Sequence, residues 1–160
     1  MRDLVLMLTC ALTVAGCSGG GSTTQAAPAQ NPPTISIADA TVAEGDAGTI
    51  ALDFTVTLSR TSTSVVVVSY STTDVTATAG DDYTSATGQL TISAGGTSGT
   101  IRVDVIGDAN SEPDETLTVT LSNPSGATIA DGSATGTIEN DDAAALFGLD
   151  IRPDNQTCVA

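Results

Sequence analysis

Residues 49–59, TIALDFTVTLS, alternate between two kinds of side chain along their whole length. One set is apolar and large, and the other is mostly threonine, aspartate and serine. The apolar set is Ile50, Leu52, Phe54, Val56 and Leu58. Because successive side chains of a strand point to opposite faces of its sheet, this period predicts a β-strand with one buried face.

Six further segments between residues 34 and 140 are predicted to be strands. They are the segment around Ile35 and Ile37, then 64–72, 88–93, 99–107, 115–123 and 134–140. Gly, Asp, Asn, Ser or Pro separates them, and no helical spacing persists. The pattern predicts an all-β, seven-stranded antiparallel sandwich of immunoglobulin-like, Greek-key architecture. Aromatic residues are only 2% of the chain, so we expect a core of Val, Ile and Leu, with Phe54, Tyr70 and Tyr83 as its large members.

The N-terminal residues are predicted to be an export signal and not part of the folded domain. An apolar run from Leu4 to Leu12 is too short to span a bilayer alone. It ends in TVAGC, residues 13–17, which resembles the bacterial lipobox. That resemblance implies that residues 1–16 are a signal peptide and that Cys17 is lipidated, whereas the alternative is an ordinary signal peptide. We expect an exported protein, lipid-anchored to a bacterial membrane, with the outer membrane or the cell surface favoured.

Residues 17–33 are predicted to be a flexible tether. Beyond the cysteine they contain Gly, Ser, Thr, Gln, Asn, Ala and Pro, with no charge and no large apolar side chain. Such a segment cannot build a core, and its composition is typical of a linker. The sandwich domain is therefore placed at residues 34–142, and residues 143–160 are assigned to a tail or to the start of a following domain.

Charge and composition exclude several classes of function. The chain has 19 acidic residues against 4 arginines, a formal net charge of −15, and no histidine. It would repel nucleic acid, so we expect no nucleic-acid partner. Without histidine the usual general base is missing, and the nucleophile elbow and phosphate-binding loop are also absent, so the sequence does not predict an enzyme.

The acidic residues are grouped in turns and at strand ends, not within strands. The main groups are Glu44 with Asp46; Asp81 with Asp82; Asp108, Glu112, Asp114 and Glu115; and Glu139, Asp141 and Asp142. Loops of a sandwich gather at its two ends, so several groups can meet. Calcium takes six to eight oxygen ligands from such loops. From spacing alone, a calcium site and a solvated acidic rim both remain open.

Several separated motifs together resemble the Calx-β domain, the module named from sodium–calcium exchangers. They are VAEGDAG, then A-x-x-G-x-D-Y at 77–83, the acidic stretch with LSNP at 108–124, and the closing GTIENDD. The resemblance covers about residues 34–142 and occurs in the right order. It implies an immunoglobulin-like sandwich that binds calcium through acids of these loops.

Carried over by motif, the resemblance implies seven metal ligands and one or two calcium ions. These are Glu44, Asp82, Asp108, Glu112, Glu115, Asp141 and Asp142, with Glu115 in a supporting role. Asp114 is not expected to be a ligand. The exchanger-type domain has three aspartates where this chain has Gly107–Ala109 and a third closing aspartate where it has Asn140. These departures imply fewer ions and weaker binding.

Three functions are therefore left open by the sequence. The first is a surface-tethered calcium-binding module for interaction, adhesion or structural spacing, with an unknown protein or surface partner. The second is a metal-free spacer of the same fold. The third is the N-terminal accessory part of a longer exported enzyme, because residues 147–158 faintly resemble the opening of a following domain in some exported bacterial enzymes.

Overall fold

The computed structural model describes residues 31–143, which form a two-layer β-sandwich. Nine strands follow in chain order: β1 (Thr34–Ile37), β2 (Ala40–Ala43), β3 (Gly48–Leu58), β4 (Val66–Asp74), β5 (Thr87–Ile92), β6 (Ser98–Gly107), β7 (Glu115–Ser125), β8 (Thr128–Asp131) and β9 (Ser133–Glu139). One sheet has the order β6-β3-β1-β8 and the other the order β2-β9-β7-β4-β5. Among these residues no helix is long and apolar enough to cross a membrane. The predicted signal peptide, Cys17, and nearly all of the tether and tail lie outside the described residues.

The core lies between the sheets and follows the predicted alternation. Along β3, the apolar side chains from Leu52 to Leu58 are buried, while the residues between them face solvent. Phe54 and Tyr83 are fully buried, and Tyr70 is partly buried against the same core. Gly136 on β9 leaves room for the ring, because a Cβ there would be 2.7 Å from Phe54 Cζ. The predicted sandwich and its aliphatic core are confirmed.

The structure has two strands more than the sequence predicts, because the first and last strands each change sheets. The chain passes from β1 in one sheet to β2 in the other, and from β8 to β9 in the same way. β1 pairs in parallel with β8, and β2 pairs in parallel with β9, so the first two and the last two strands cross between the sheets side by side. The sandwich is therefore antiparallel except for these two short pairs.

Most acidic residues lie at one end of the sandwich, which we call the acidic pole. It consists of the turn 44–47 between β2 and β3, the loops 75–86 and 108–114, and residues 140–142 after β9. Strand directions place all four segments together, since β3 and β7 begin there and β4, β6 and β9 end there. Residues 31–33 enter β1 at the opposite end, where the Thr34 N–H donates to Ser59 Oγ at 2.9 Å.

Candidate metal centre

Glu44 is the one buried acidic residue among residues 31–143, with 8% of its surface exposed. It follows β2, and its N–H donates to the Glu139 carbonyl at 3.1 Å, which extends the pairing with β9 into the acidic pole. Its Oε1 atom is buried and has no hydrogen-bond partner among the described residues. Burial raises the pKa of the Glu44 carboxyl, and the neighbouring charge of Asp108 raises it further.

Asp141 and Asp142 complete a first group of carboxylates, which we call the Glu44 cluster. One carboxylate oxygen from each of Glu44, Asp141 and Asp142 lies within 4.8 Å of the others. Asp142 Oδ2 is also buried without a hydrogen-bond partner in the described part of the chain. Desolvation raises the pKa of Asp142, and the negative charge of Asp46 adds to that shift. Two unpaired buried oxygens in one cluster favour a bound cation.

The turn 44–47 holds Glu44 against the C-terminal run. The Gly45 N–H donates to Asp141 Oδ1 at 2.9 Å, and Gly45 has a φ of 75°, a conformation that favours glycine. The next residue, Asp46, acts on the Asp142 carboxyl and is absent from the predicted ligand set. Asp46 could have been predicted as part of the site, because it stands two residues after Glu44 in the same acidic turn.

Asp82, Glu112 and Glu115 form a second group, which we call the Glu115 cluster. One carboxylate oxygen from each lies within 4.8 Å of the other two. Burial, then a hydrogen bond and repulsion from Asp82, raise the pKa of Glu115 to about 7. The carboxyl is therefore partly protonated near neutral pH when no cation neutralises the cluster.

The loop 75–86 places Asp82 through its main chain and through Tyr83. Asp82 Oδ2 accepts from the Thr78 N–H at 2.7 Å, and the Asp82 carbonyl accepts from the Ile106 N–H at 2.8 Å. Tyr83 is buried, and its hydroxyl donates to Asp74 Oδ1 at 2.5 Å. Burial and this hydrogen bond raise the pKa of Tyr83 to about 12, so the hydroxyl remains a donor.

Asn140 ties the loop 108–114 to the C-terminal run. Its Oδ1 accepts from the Glu112 N–H at 2.9 Å, and its Nδ2 donates to the Asp142 carbonyl at 3.0 Å. Its own N–H donates to Asp114 Oδ1 at 3.1 Å. An aspartate at position 140 could not donate to Asp142, so this departure from the exchanger pattern has a structural role of its own.

The structure brings six of the seven predicted ligands into the two clusters. Asp108 belongs to neither group of three, although its charge acts on both Glu44 and Asp142. Its Oδ1 accepts from the Asn110 N–H at 2.7 Å, which closes a local turn. Asp114 Oδ1 instead accepts from the Asn140 N–H, so this carboxylate oxygen is already engaged.

The arginines of the described residues lie away from both clusters. Arg102 forms two hydrogen bonds with Asp53, at 2.9 and 3.0 Å, between neighbouring strands. Arg60 follows the end of β3 that is farthest from the acidic pole. Oxygen-only donors from several loops are the set that calcium takes, usually at 2.3–2.6 Å. The residues present therefore fit a calcium ion, with the unpaired Glu44 oxygen as the most direct sign.

The fold and this site define a class: an immunoglobulin-like β-sandwich with two carboxylate clusters at one end. The Calx-beta domain family matches residues 29–142, which is most of the chain. The chain belongs to the Calx-beta domain family. No curated protein matches it.

Several solved structures of Calx domains are similar to this chain. The apo-form Calx CBD1 domain is 27% identical over 70% of this chain and all of that chain, with a TM-score of 0.58. The calcium binding domain CBD12 of CALX1.1 is 30% identical over 69% of this chain, with a TM-score of 0.59. CBD12 from CALX1.2 is 29% identical, also with a TM-score of 0.59. This chain spans only 47% and 46% of those two longer chains.

Proposed function

We propose that this domain is a calcium-binding module that holds one or two ions at the acidic pole, in the Glu44 and Glu115 clusters. The observation behind the proposal is the buried Glu44 Oε1 atom, which has no hydrogen-bond donor among the described residues. Leaving a buried carboxylate unpaired is costly, and a cation shared with Asp141 and Asp142 removes that cost. Similarity to a protein described as a calcium binding domain supports the same conclusion.

The two clusters provide different environments for an ion. The Glu44 cluster has two buried oxygens without hydrogen-bond partners in the described part of the chain, whereas Glu115 in the other cluster is partly protonated near neutral pH. Calcium must displace that proton, since metal ligands bind in their deprotonated form. We therefore expect tighter binding at the Glu44 cluster and release of a proton at the Glu115 cluster.

Calorimetric titration of the full chain with calcium tests this function. We expect one or two ions to bind, with magnesium binding more weakly because it dehydrates reluctantly and demands octahedral geometry. Glu44→Gln is the matched variant for the first cluster and Glu115→Gln for the second. Absence of any calcium-dependent heat would reject the calcium module and leave the metal-free spacer of the same fold.

We further propose that Cys17 anchors the domain to a membrane, so that the module works at a bacterial surface in interaction, adhesion or spacing. The lipobox-like TVAGC supports the anchor. Detergent partitioning tests this proposal: the full chain should enter the detergent phase, and Cys17→Ala should abolish this. A Cys17→Ala protein that still fractionates with membranes would contradict the anchor.

A further inference from the structure

The turn 44–47 lies directly against Gly107 at the end of β6. It crosses from β2 in one sheet to β3 in the other, over the buried inner side of position 107. A Cβ on Gly107 would lie 2.5 Å from the Glu44 carbonyl oxygen and would overlap the carbonyl oxygen of Gly45. Real Cβ atoms essentially never come this close to another heavy atom. Only glycine therefore fits at this position with the turn where it is.

Relief of such an overlap requires movement of the main chain. Both clashing atoms are backbone oxygens, so no side-chain rotation can make space. The moving segment would contain Glu44 itself and the Gly45 N–H that donates to Asp141 Oδ1 at 2.9 Å. A shift of the turn away from β6 would therefore change the spacing between Glu44 and the two aspartates of its cluster.

We propose that Gly107 is a positioning residue for the Glu44 cluster: its missing side chain seats the turn 44–47 so that Glu44 and Asp141 can share one cation. This inference rests on the proposed calcium function. The two clashing oxygens belong to the turn 44–47, which supplies Glu44 to one cluster and no residue to the Glu115 cluster. Position 107 is linked to the Glu115 cluster only through its neighbours, because the Ile106 N–H donates to the Asp82 carbonyl and Glu112 lies in the loop that follows Gly107. The effect of Gly107 is therefore larger at the Glu44 cluster.

Calcium titration of the full chain in two backgrounds tests the selectivity. Asp82→Asn with Glu115→Gln leaves the Glu44 cluster, whereas Glu44→Gln with Asp142→Asn leaves the Glu115 cluster. Adding Gly107→Ala to the first background should weaken calcium binding tenfold or more, about 1.4 kcal/mol or above. Adding it to the second should weaken binding clearly less, because the clashing oxygens lie in the turn that carries Glu44.

Gly136→Ala is the matched control for a buried glycine. Its Cβ would press on Phe54 Cζ at 2.7 Å and Leu52 Cδ2 at 2.9 Å, inside the core. We expect this variant to lower the melting temperature in chelator while leaving calcium affinity nearly unchanged in both backgrounds. A loss of affinity there equal to that of Gly107→Ala would overturn the proposal, because any strained glycine would then do the same.

Gly45→Ala provides a second variant that does not touch position 107. A Cβ there meets no atom of residues 31–143 within 4 Å, but the φ of 75° at this position is strained for alanine. The strained turn should weaken binding in the first background and not in the second.

The remaining outcomes separate the two proposals. No calcium binding by the unsubstituted chain would reject the calcium function itself. Normal binding by that chain with unchanged affinity on Gly107→Ala in the first background would overturn only the role of Gly107. Equal loss in both backgrounds, or a Gly107→Ala chain that does not fold in chelator or in millimolar calcium, would also overturn it, because the glycine would then serve the whole fold.

Discussion

Three acids of one loop have different surroundings, and this difference can be measured. Asp108 acts on the Glu44 cluster and Glu112 belongs to the Glu115 cluster, whereas Asp114 Oδ1 accepts from the Asn140 N–H. We expect Asp108→Asn and Glu112→Gln each to weaken calcium binding tenfold or more, about 1.4 kcal/mol or above. Asp114→Asn should have little effect, because the amide oxygen of asparagine can still accept that hydrogen bond.

Calorimetry on the three variants gives the comparison. The substitutions nearly preserve side-chain shape, and the Glu112 main chain stays bound to Asn140 Oδ1, so loss of folding is not the expected confounder. Equal and small effects from all three would contradict the assignment and indicate a diffuse acidic rim.

Glu115 makes the metal-free domain sensitive to pH. Its folded-state pKa is raised from 4.5 to about 7, so the folded chain binds more protons than the unfolded chain between these values. Stability without metal should therefore be greatest at low pH within this window and should fall as pH rises from about 4.5 to about 7. The raised pKa of Glu44 contributes in the same direction.

Urea unfolding in chelator at several pH values measures this dependence. Glu115→Gln cannot ionise, so its stability should fall less steeply over the same range than that of the unsubstituted chain. A metal-free stability that instead rises towards pH 7 would show that burial and repulsion from Asp82 do not raise the pKa of Glu115.

At the scale of elements, the buried Tyr83 fixes the loop that presents Asp82. Tyr83→Phe removes the donor to Asp74 Oδ1, an acceptor that also takes the Ala79 N–H at 3.1 Å. We expect the free energy of unfolding to fall by about 1.5–3 kcal/mol, the range for hydrogen bonds to charged groups. Calcium affinity should fall at the Glu115 cluster and not at the Glu44 cluster.

A double-mutant cycle with Asp74→Ala, which removes the acceptor, isolates this contact. Urea unfolding of both single variants and the double variant should give strongly non-additive losses, since the two side chains share one hydrogen bond. Additive losses would mean that the hydroxyl and the carboxylate act separately, and the loop would need another explanation for its order.

Five of the seven strands that the sequence predicted have buried side chains at alternating positions, namely β1, β3, β6, β7 and β9. The period of two along β3 reports burial directly, so residues 52–58 are assigned correctly, while Ile50 keeps the phase but is 41% exposed near the acidic pole. β2 and β8 have four residues each and no strong alternation. Their sheet changes and parallel pairing depend on tertiary contacts, which periodicity does not encode.

The acids of the candidate site were predictable because they stand at strand ends with no base nearby in sequence. The supporting residues were not, since their roles arise from approach in space. Gly107 matters because a backbone turn from residues 44–45 lies against it, and Asn140 because it bonds the loop containing Glu112. Neither of these contacts can be predicted from the local sequence pattern.

At the scale of the whole molecule, a net charge of −15 opposes compaction, and the acidic pole concentrates that opposition. Two clusters of carboxylates, with pKa values raised by burial and mutual repulsion at Glu44 and Glu115, are held together by folding alone when no cation is present. With a divalent ion at each cluster, attraction between the carboxylates and the cation would outweigh the repulsion among the carboxylates. Calcium should therefore change stability as well as occupancy.

The last prediction concerns the size of that change. An ion that binds the folded pole and not the unfolded chain stabilises the fold by about 2.7 kcal/mol per site at one hundred times its dissociation constant. The melting temperature of the full chain should be higher in millimolar calcium than in excess chelator. The double variant Glu44→Gln with Glu115→Gln should lose most of this difference. Magnesium should give a smaller shift, because these loops offer a flexible set of oxygens rather than a fixed octahedron. A melting temperature that does not move with calcium would favour a metal-free spacer, whose acidic pole tolerates its repulsion through protonation and solvent alone.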